Sequence, residues 1–127
     1  MKHLRFYLIL LPALLILQPS GMGGDAPAAA GIKFPKKVNA IIQNKCYGCH
    51  SNEGQSDKVK AKLNWDLLPT MSASEQSEKL GHIMEVLEKG KMPPARFLEK
   101  EPGMKLTDAE TAKLKKWAKK TAKKVSK

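Results

Sequence analysis

Cys46-Tyr47-Gly48-Cys49-His50 decides how the rest of the chain is read. Two thiols stand three positions apart, and an imidazole follows the second directly. This C-x-x-C-H spacing is the attachment signature of c-type haem. The chemistry accounts for the order. Two thiols that add to two vinyl groups on one porphyrin edge need a short, fixed separation. The histidine beside the second thiol then faces the iron from the proximal side. Gly48 is expected to let the backbone turn closely between the two anchors.

Three other uses of these residues compete. A thioredoxin-like redox pair also carries C-x-x-C, but at a strand-to-helix junction, and no segment here alternates as a strand. A zinc site takes four ligands. Cys46, Cys49, His50 and His82 could supply them, yet no second close-spaced ligand pair exists. A plain disulfide leaves the histidine unexplained. Few uses other than haem attachment need all three residues in this order.

Outward from the motif, three segments carry helical period. After Pro35, Val38, Ile41, Ile42 and Cys46 fall on one face. A second segment opens at Ser72 or Ser74, where Ser72 and Glu75 have capping-box spacing. Leu80, Ile83, Met84 and Leu87 follow as its stripe, and Gly90 stands ready as a C-terminal stop. A third opens at Thr107, with Glu110 in the same capping relation. Its stripe is Leu114, Trp117, Ala118, Thr121 and Val125, with Trp117 expected in the core. Ser51–Lys62 reads as a polar loop and Leu63–Pro69 as a short apolar knot around Trp65. Pro93, Pro94 and Pro102 forbid a continuous helix through Lys91–Lys105. The expected fold is all-α, with the first and third helices crossing through Ile41, Ile42, Leu114 and Trp117.

Size and charge narrow the classes. The chain has 127 residues, 42% hydrophobic and 28% charged, which excludes a disordered or collagenous protein. Two cysteines exclude a disulfide-dense scaffold. Lys2, His3 and Arg5 precede the apolar run Phe6–Leu17, which is shorter than a spanning helix requires. Residues 1–30 are therefore expected to be a secretory signal and flexible linker, and residues 31–127 the haem-binding domain. The expected location is exported and periplasmic, with an uncleaved N-terminal anchor as the alternative. Residues 31–127 carry a net charge of +10, and eight lysines with no acid fill the last fifteen positions. Such a domain is steered toward acidic redox partners. A solvated lysine face and an anionic membrane surface are the other uses of that charge. No nucleic-acid motif is present, and a monomer is expected.

Candidates for the iron's second axial position are Met71, Met84, Met92, Met104 and His82. Met84 sits on an apolar helix face, where methionine is commonly core. His82 lies off that face. Met92 follows a helix stop and precedes Pro93-Pro94, which stiffen the backbone beside it. It is the best placed of the five.

Cys46–His50, Lys91-Met92-Pro93-Pro94 and Leu106–Glu110 leading to Leu114-Lys115-Lys116-Trp117 together resemble the small exported haem-binding domain of bacterial c-type cytochromes. More loosely, they are similar to the mono-haem cytochrome c fold. The resemblance spans about Phe34 to Ala122. It implies three main helices around one covalently bound haem c, with Cys46 and Cys49 as thioether anchors. It also implies His50 and Met92 as metal ligands, and single-electron transfer without catalysis. Related domains often carry a Trp/Pro-rich stretch after the haem motif, where this chain has the polar Ser51–Lys62. The rival expectation is a five-coordinate haem protein acting as a gas or redox sensor or as a peroxidase-like enzyme.

Overall fold

A computed structural model describes residues 31–127. The signal and linker expected over 1–30 lie outside the described residues. Those residues form five α-helices and no strand: α1 Lys36–Lys45, α2 Asp57–Lys62, α3 Ala73–Glu88, α4 Ala95–Leu98 and α5 Asp108–Val125. Two 3-10 turns, Leu68–Thr70 and Pro102–Met104, lie in the connections. None of these helices is long and apolar enough to cross a membrane.

Local chemistry sets the ends of the long helices. The Ser72 hydroxyl accepts from the Glu75 amide, and the Glu75 carboxylate accepts from the Ser72 amide at 2.9 Å. Thr107 and Glu110 do the same for α5, at 3.1 and 2.9 Å. Each box satisfies donors that a helix start leaves bare. Gly90 ends α3 with φ 59°, a conformation glycine adopts without a Cβ penalty. Pro35 is the N-cap of α1, just outside it.

The core joins Val38, Ile41 and Ile42 of α1 to Leu80, Ile83 and Leu87 of α3 and Leu114, Trp117, Ala118 and Val125 of α5. Trp65 and Leu68 close it from the loop between, as the apolar knot predicts. Leu67 instead points outward, 47% exposed. The Phe34, Trp65 and Trp117 rings pack together with centroids 5.4 to 6.2 Å apart. Trp117 Nε1 donates to the Lys33 carbonyl at 3.1 Å, so this buried indole is satisfied.

Two expectations change. α5 meets α1, but its most extensive contact is with α3. The reason is length. α3 and α5 are the two longest helices, of 16 and 18 residues against 10 in α1, so their apolar stripes can run alongside each other over more turns. Ser51–Lys62 is also not all loop. Ser56 caps α2 by accepting from the Val59 amide at 3.4 Å, and Asp57 sits in its first turn. α2 has no buried residue, so apolar periodicity had nothing to reveal there.

Candidate functional site

The C-x-x-C-H motif starts where α1 stops. Cys46 is the C-cap, its amide bonded to the Ile42 carbonyl at 2.9 Å. The Cys49 and His50 amides both donate to the Cys46 carbonyl, at 3.2 and 3.1 Å. The motif is thus wound as a tight turn against the helix end.

This turn forms one wall of a cavity of about 540 Å³. Cys46, Cys49 and His50 line it. So do Met92, Pro93 and Pro94, with Leu87, Phe97, Met104 and Leu106 adding apolar surface. All four residues singled out from sequence therefore share one space. The other axial candidates separate. Met71 and Met84 pack against the core. His82 stands 62% exposed on α3, between Glu78 and Glu85 at 3.7 Å each. Met104 does reach the cavity, a placement its loop sequence gave no sign of. The Lys45 ammonium donates to the Gly103 carbonyl beside it, tying that turn to the end of α1.

His50 is held at two points. The Leu63 carbonyl accepts from Nδ1 at 3.0 Å. A carbonyl has no proton to give, so Nδ1 carries the hydrogen and Nε2 keeps a lone pair for a metal. The His50 carbonyl in turn accepts from the Trp65 amide at 2.8 Å. Around this pair runs a polar network. The Asn52 amide donates to Asp66 Oδ2 at 2.8 Å, and the Tyr47 hydroxyl donates to Oδ1. Asn64 donates to Asn52 Oδ1 at 2.9 Å and accepts from the Asp66 amide at 3.0 Å. The Asn52 amide, and then the Tyr47 hydroxyl, hold the Asp66 carboxyl below its usual range. The same Tyr47 bond pushes the phenol up.

The two thiols differ. Burial pushes the Cys46 thiol up to about 11, with smaller contributions from Cys49 and Glu110. At neutral pH it is a protonated thiol. Cys49 is exposed, and the two form no disulfide.

The glycine expectation falls on the wrong residue. A Cβ on Gly48 would meet no protein atom within 4 Å, and its φ is not positive. Gly54 is the constrained position. A Cβ there would stand 2.4 Å from the Cys49 carbonyl oxygen and 3.1 Å from that of Ser51. The chain after the motif folds back over the motif's own backbone, and only a missing side chain leaves room. Neither Gly54 nor the Asn52–Asn64–Asp66 network has a short-range sequence signature, because each depends on residues brought back by the loop.

The donor set suits haem. Two unpaired thiols, an imidazole with a fixed tautomer and a thioether face one largely apolar cavity of ordinary ligand size. Zinc is less well served, since no group of three His, Cys, Asp or Glu side chains gathers to hold a metal ion among the described residues. The comparisons agree with the first reading. A family model described as a haem-binding domain matches residues 17–120. No curated protein and no solved structure matches the chain.

Proposed function

The chain belongs to the haem-binding domain family, and on that premise we propose that it is an exported mono-haem c-type cytochrome carrying single electrons between redox partners. One observation carries the reading. His50, with Nδ1 committed to the Leu63 carbonyl, lines the same cavity as both thiols and Met92.

Cys46 and Cys49 would hold the porphyrin. Their thiols would supply two thioether links to its vinyl groups. His50 through Nε2 and Met92 through Sδ would hold the iron. Haem held in this way supplies a reversible one-electron couple, and a His/Met pair raises its potential. The Leu63 carbonyl fixes His50, Leu87, Phe97 and Leu106 give the cavity apolar walls, and Cys49 stands on its exposed side. With both residues holding the iron, the chain would leave a substrate no place on the metal and would act as a carrier. The charge of +10 over residues 31–127 favours acidic partners, with rates that fall as salt rises.

Met104 offers a second thioether in the same cavity. Optical spectra of the oxidised and reduced holoprotein, with and without carbon monoxide, decide among the ligand sets. Wild type is expected to show the weak far-red band of a ferric iron–thioether bond and to ignore carbon monoxide. Met92→Ala is expected to lose the band and bind the gas, and Met104→Ala to keep wild-type behaviour. Loss of the band in Met104→Ala alone would transfer the role to Met104. Avid carbon monoxide binding by wild type would replace the carrier reading with a five-coordinate sensor or peroxidase-like protein.

A further inference from the structure

The lysines of α5 are gathered on one side of the helix. Lys113, Lys116, Lys120 and Lys123 succeed one another by three or four positions, which at about 100° per residue draws a line along the axis. Lys119 and Lys124 flank that line. All six are exposed, and none takes part in an ion pair among the described residues. They lie opposite the face that buries Leu114, Trp117, Ala118 and Val125. Lys115 marks one edge of the stripe, where it meets Glu88 of α3 at 3.4 Å. Like charges at these spacings repel and weaken a helix. An anionic surface laid along the stripe relieves that repulsion.

Most of the stripe lies away from the cavity, with Lys113 nearest to it, about 8 Å from the start of α5. Leu106, which lines the cavity, lies just before the start of α5. Lys116 to Lys124 lie about 12 to 24 Å further along the axis, at about 1.5 Å per residue. A surface laid along Lys116 to Lys124 leaves the cavity end of the helix uncovered.

The chain also enters the domain beside this helix. Ile32 is buried, the Lys33 carbonyl accepts from Trp117 Nε1 at 3.1 Å, and the Phe34 ring packs on Trp117 at 5.4 Å. The apolar run Phe6–Leu17 precedes this entry in sequence, and the entry lies on the buried Trp117 side of α5, not on its lysine side.

We propose that the outer face of α5 docks on an anionic lipid surface, leaving the cavity end free for redox partners. The stripe bears no exposed large hydrophobic residue; Leu67, the one found among the described residues, belongs to another segment. Protein partners concentrate binding energy in such anchors, whereas a fluid sheet of anionic headgroups needs only charge.

The test is co-sedimentation of the holoprotein as purified after export with phosphatidylcholine vesicles, with or without about one third phosphatidylglycerol. Binding is expected to be stronger to the anionic vesicles and to weaken as salt rises. A Lys116→Gln/Lys120→Gln/Lys123→Gln variant is expected to bind at least about tenfold more weakly. Lys58→Gln/Lys62→Gln/Lys100→Gln removes the same charge from exposed positions elsewhere and is expected to retain binding. Arginine at the three stripe positions keeps the charge and is expected to restore it, which separates docking from misfolding. Equal binding to neutral and anionic vesicles would overturn the proposal. So would equal losses in the two glutamine triples, or failure of the arginine variant to bind.

Discussion

Gly54→Ala is expected to damage the haem loop although it adds a single methyl group. The new Cβ would sit 2.4 Å from the Cys49 carbonyl oxygen, 3.0 Å from the Cys49 carbonyl carbon and 3.1 Å from the Ser51 carbonyl oxygen. All three are backbone atoms, so no side chain can swing aside. Reaching ordinary contact requires a backbone shift of about 1 Å, and overpacking of this kind costs about 1–3 kcal/mol. The shift bears on the Cys49 carbonyl, immediately before His50. It also strains the turn in which the Gly54 amide donates to the Ser51 carbonyl at 3.0 Å. For a domain of this size the cost lowers the melting temperature by about 5–20 °C. Thermal unfolding of the holoprotein, followed by circular dichroism, measures it. Gly81→Ala supplies the opposite sign. It lies inside α3, where a Cβ meets nothing within 4 Å, and alanine is favoured over glycine there by about 0.5–1 kcal/mol. A Gly54→Ala protein that melts with wild type, or a Gly81→Ala protein that loses as much, would refute the close-approach argument.

Other outcomes follow from the same contacts. Asp66 titrates below its unfolded value of 3.8 because the Asn52 amide and Tyr47 hydroxyl bond its charged form. Its contribution is therefore complete above about pH 5 and is lost as pH falls through 3.8 and below. Asp66→Asn should lower the melting temperature at neutral pH and flatten its decline in acid; an unchanged acid limb would remove Asp66 from the account. Thr107→Ala deletes the hydroxyl that accepts from Glu110 at 3.1 Å and should cost about 1 kcal/mol, read from a urea melt. A Cys46→Ala/Cys49→Ala chain, unable to tether haem, leaves the apolar cavity wall wet and should unfold at lower temperature and less cooperatively than the holoprotein. A native-like melt would count against haem as a structural element.

What the sequence made legible was local. The helix boundaries at Ser72, Gly90 and Thr107 are written in residues three or four positions apart, and the structure places each at its cap. The meeting of Cys46, Cys49, His50 and Met92 in one cavity could be read too, because the C-x-x-C-H spacing and the proline-stiffened methionine each state their own requirement. Partnership between elements was less accessible. A stripe shows which face of a helix is buried but not against what, so the dominance of α3 against α5 went unread. The same limit left Met104 a candidate without support, although it reaches the cavity through a turn fastened by Lys45. It also moved the glycine requirement from Gly48 to Gly54, since the obstructing carbonyls arrive only when the loop closes.

That closure separates two jobs. The Leu63 carbonyl and Trp65 amide clasp His50 from one end of the loop, and Asn52 fastens the other end to Asp66. Between the fastenings, α2 buries nothing, while Gln55, Ser56 and Val59 form part of the cavity's rim. Substitutions or added length in α2 can thus reshape that rim while the imidazole stays in its grip. The fold keeps the shape of the cavity's rim on a different stretch of chain from the hold on the His50 imidazole.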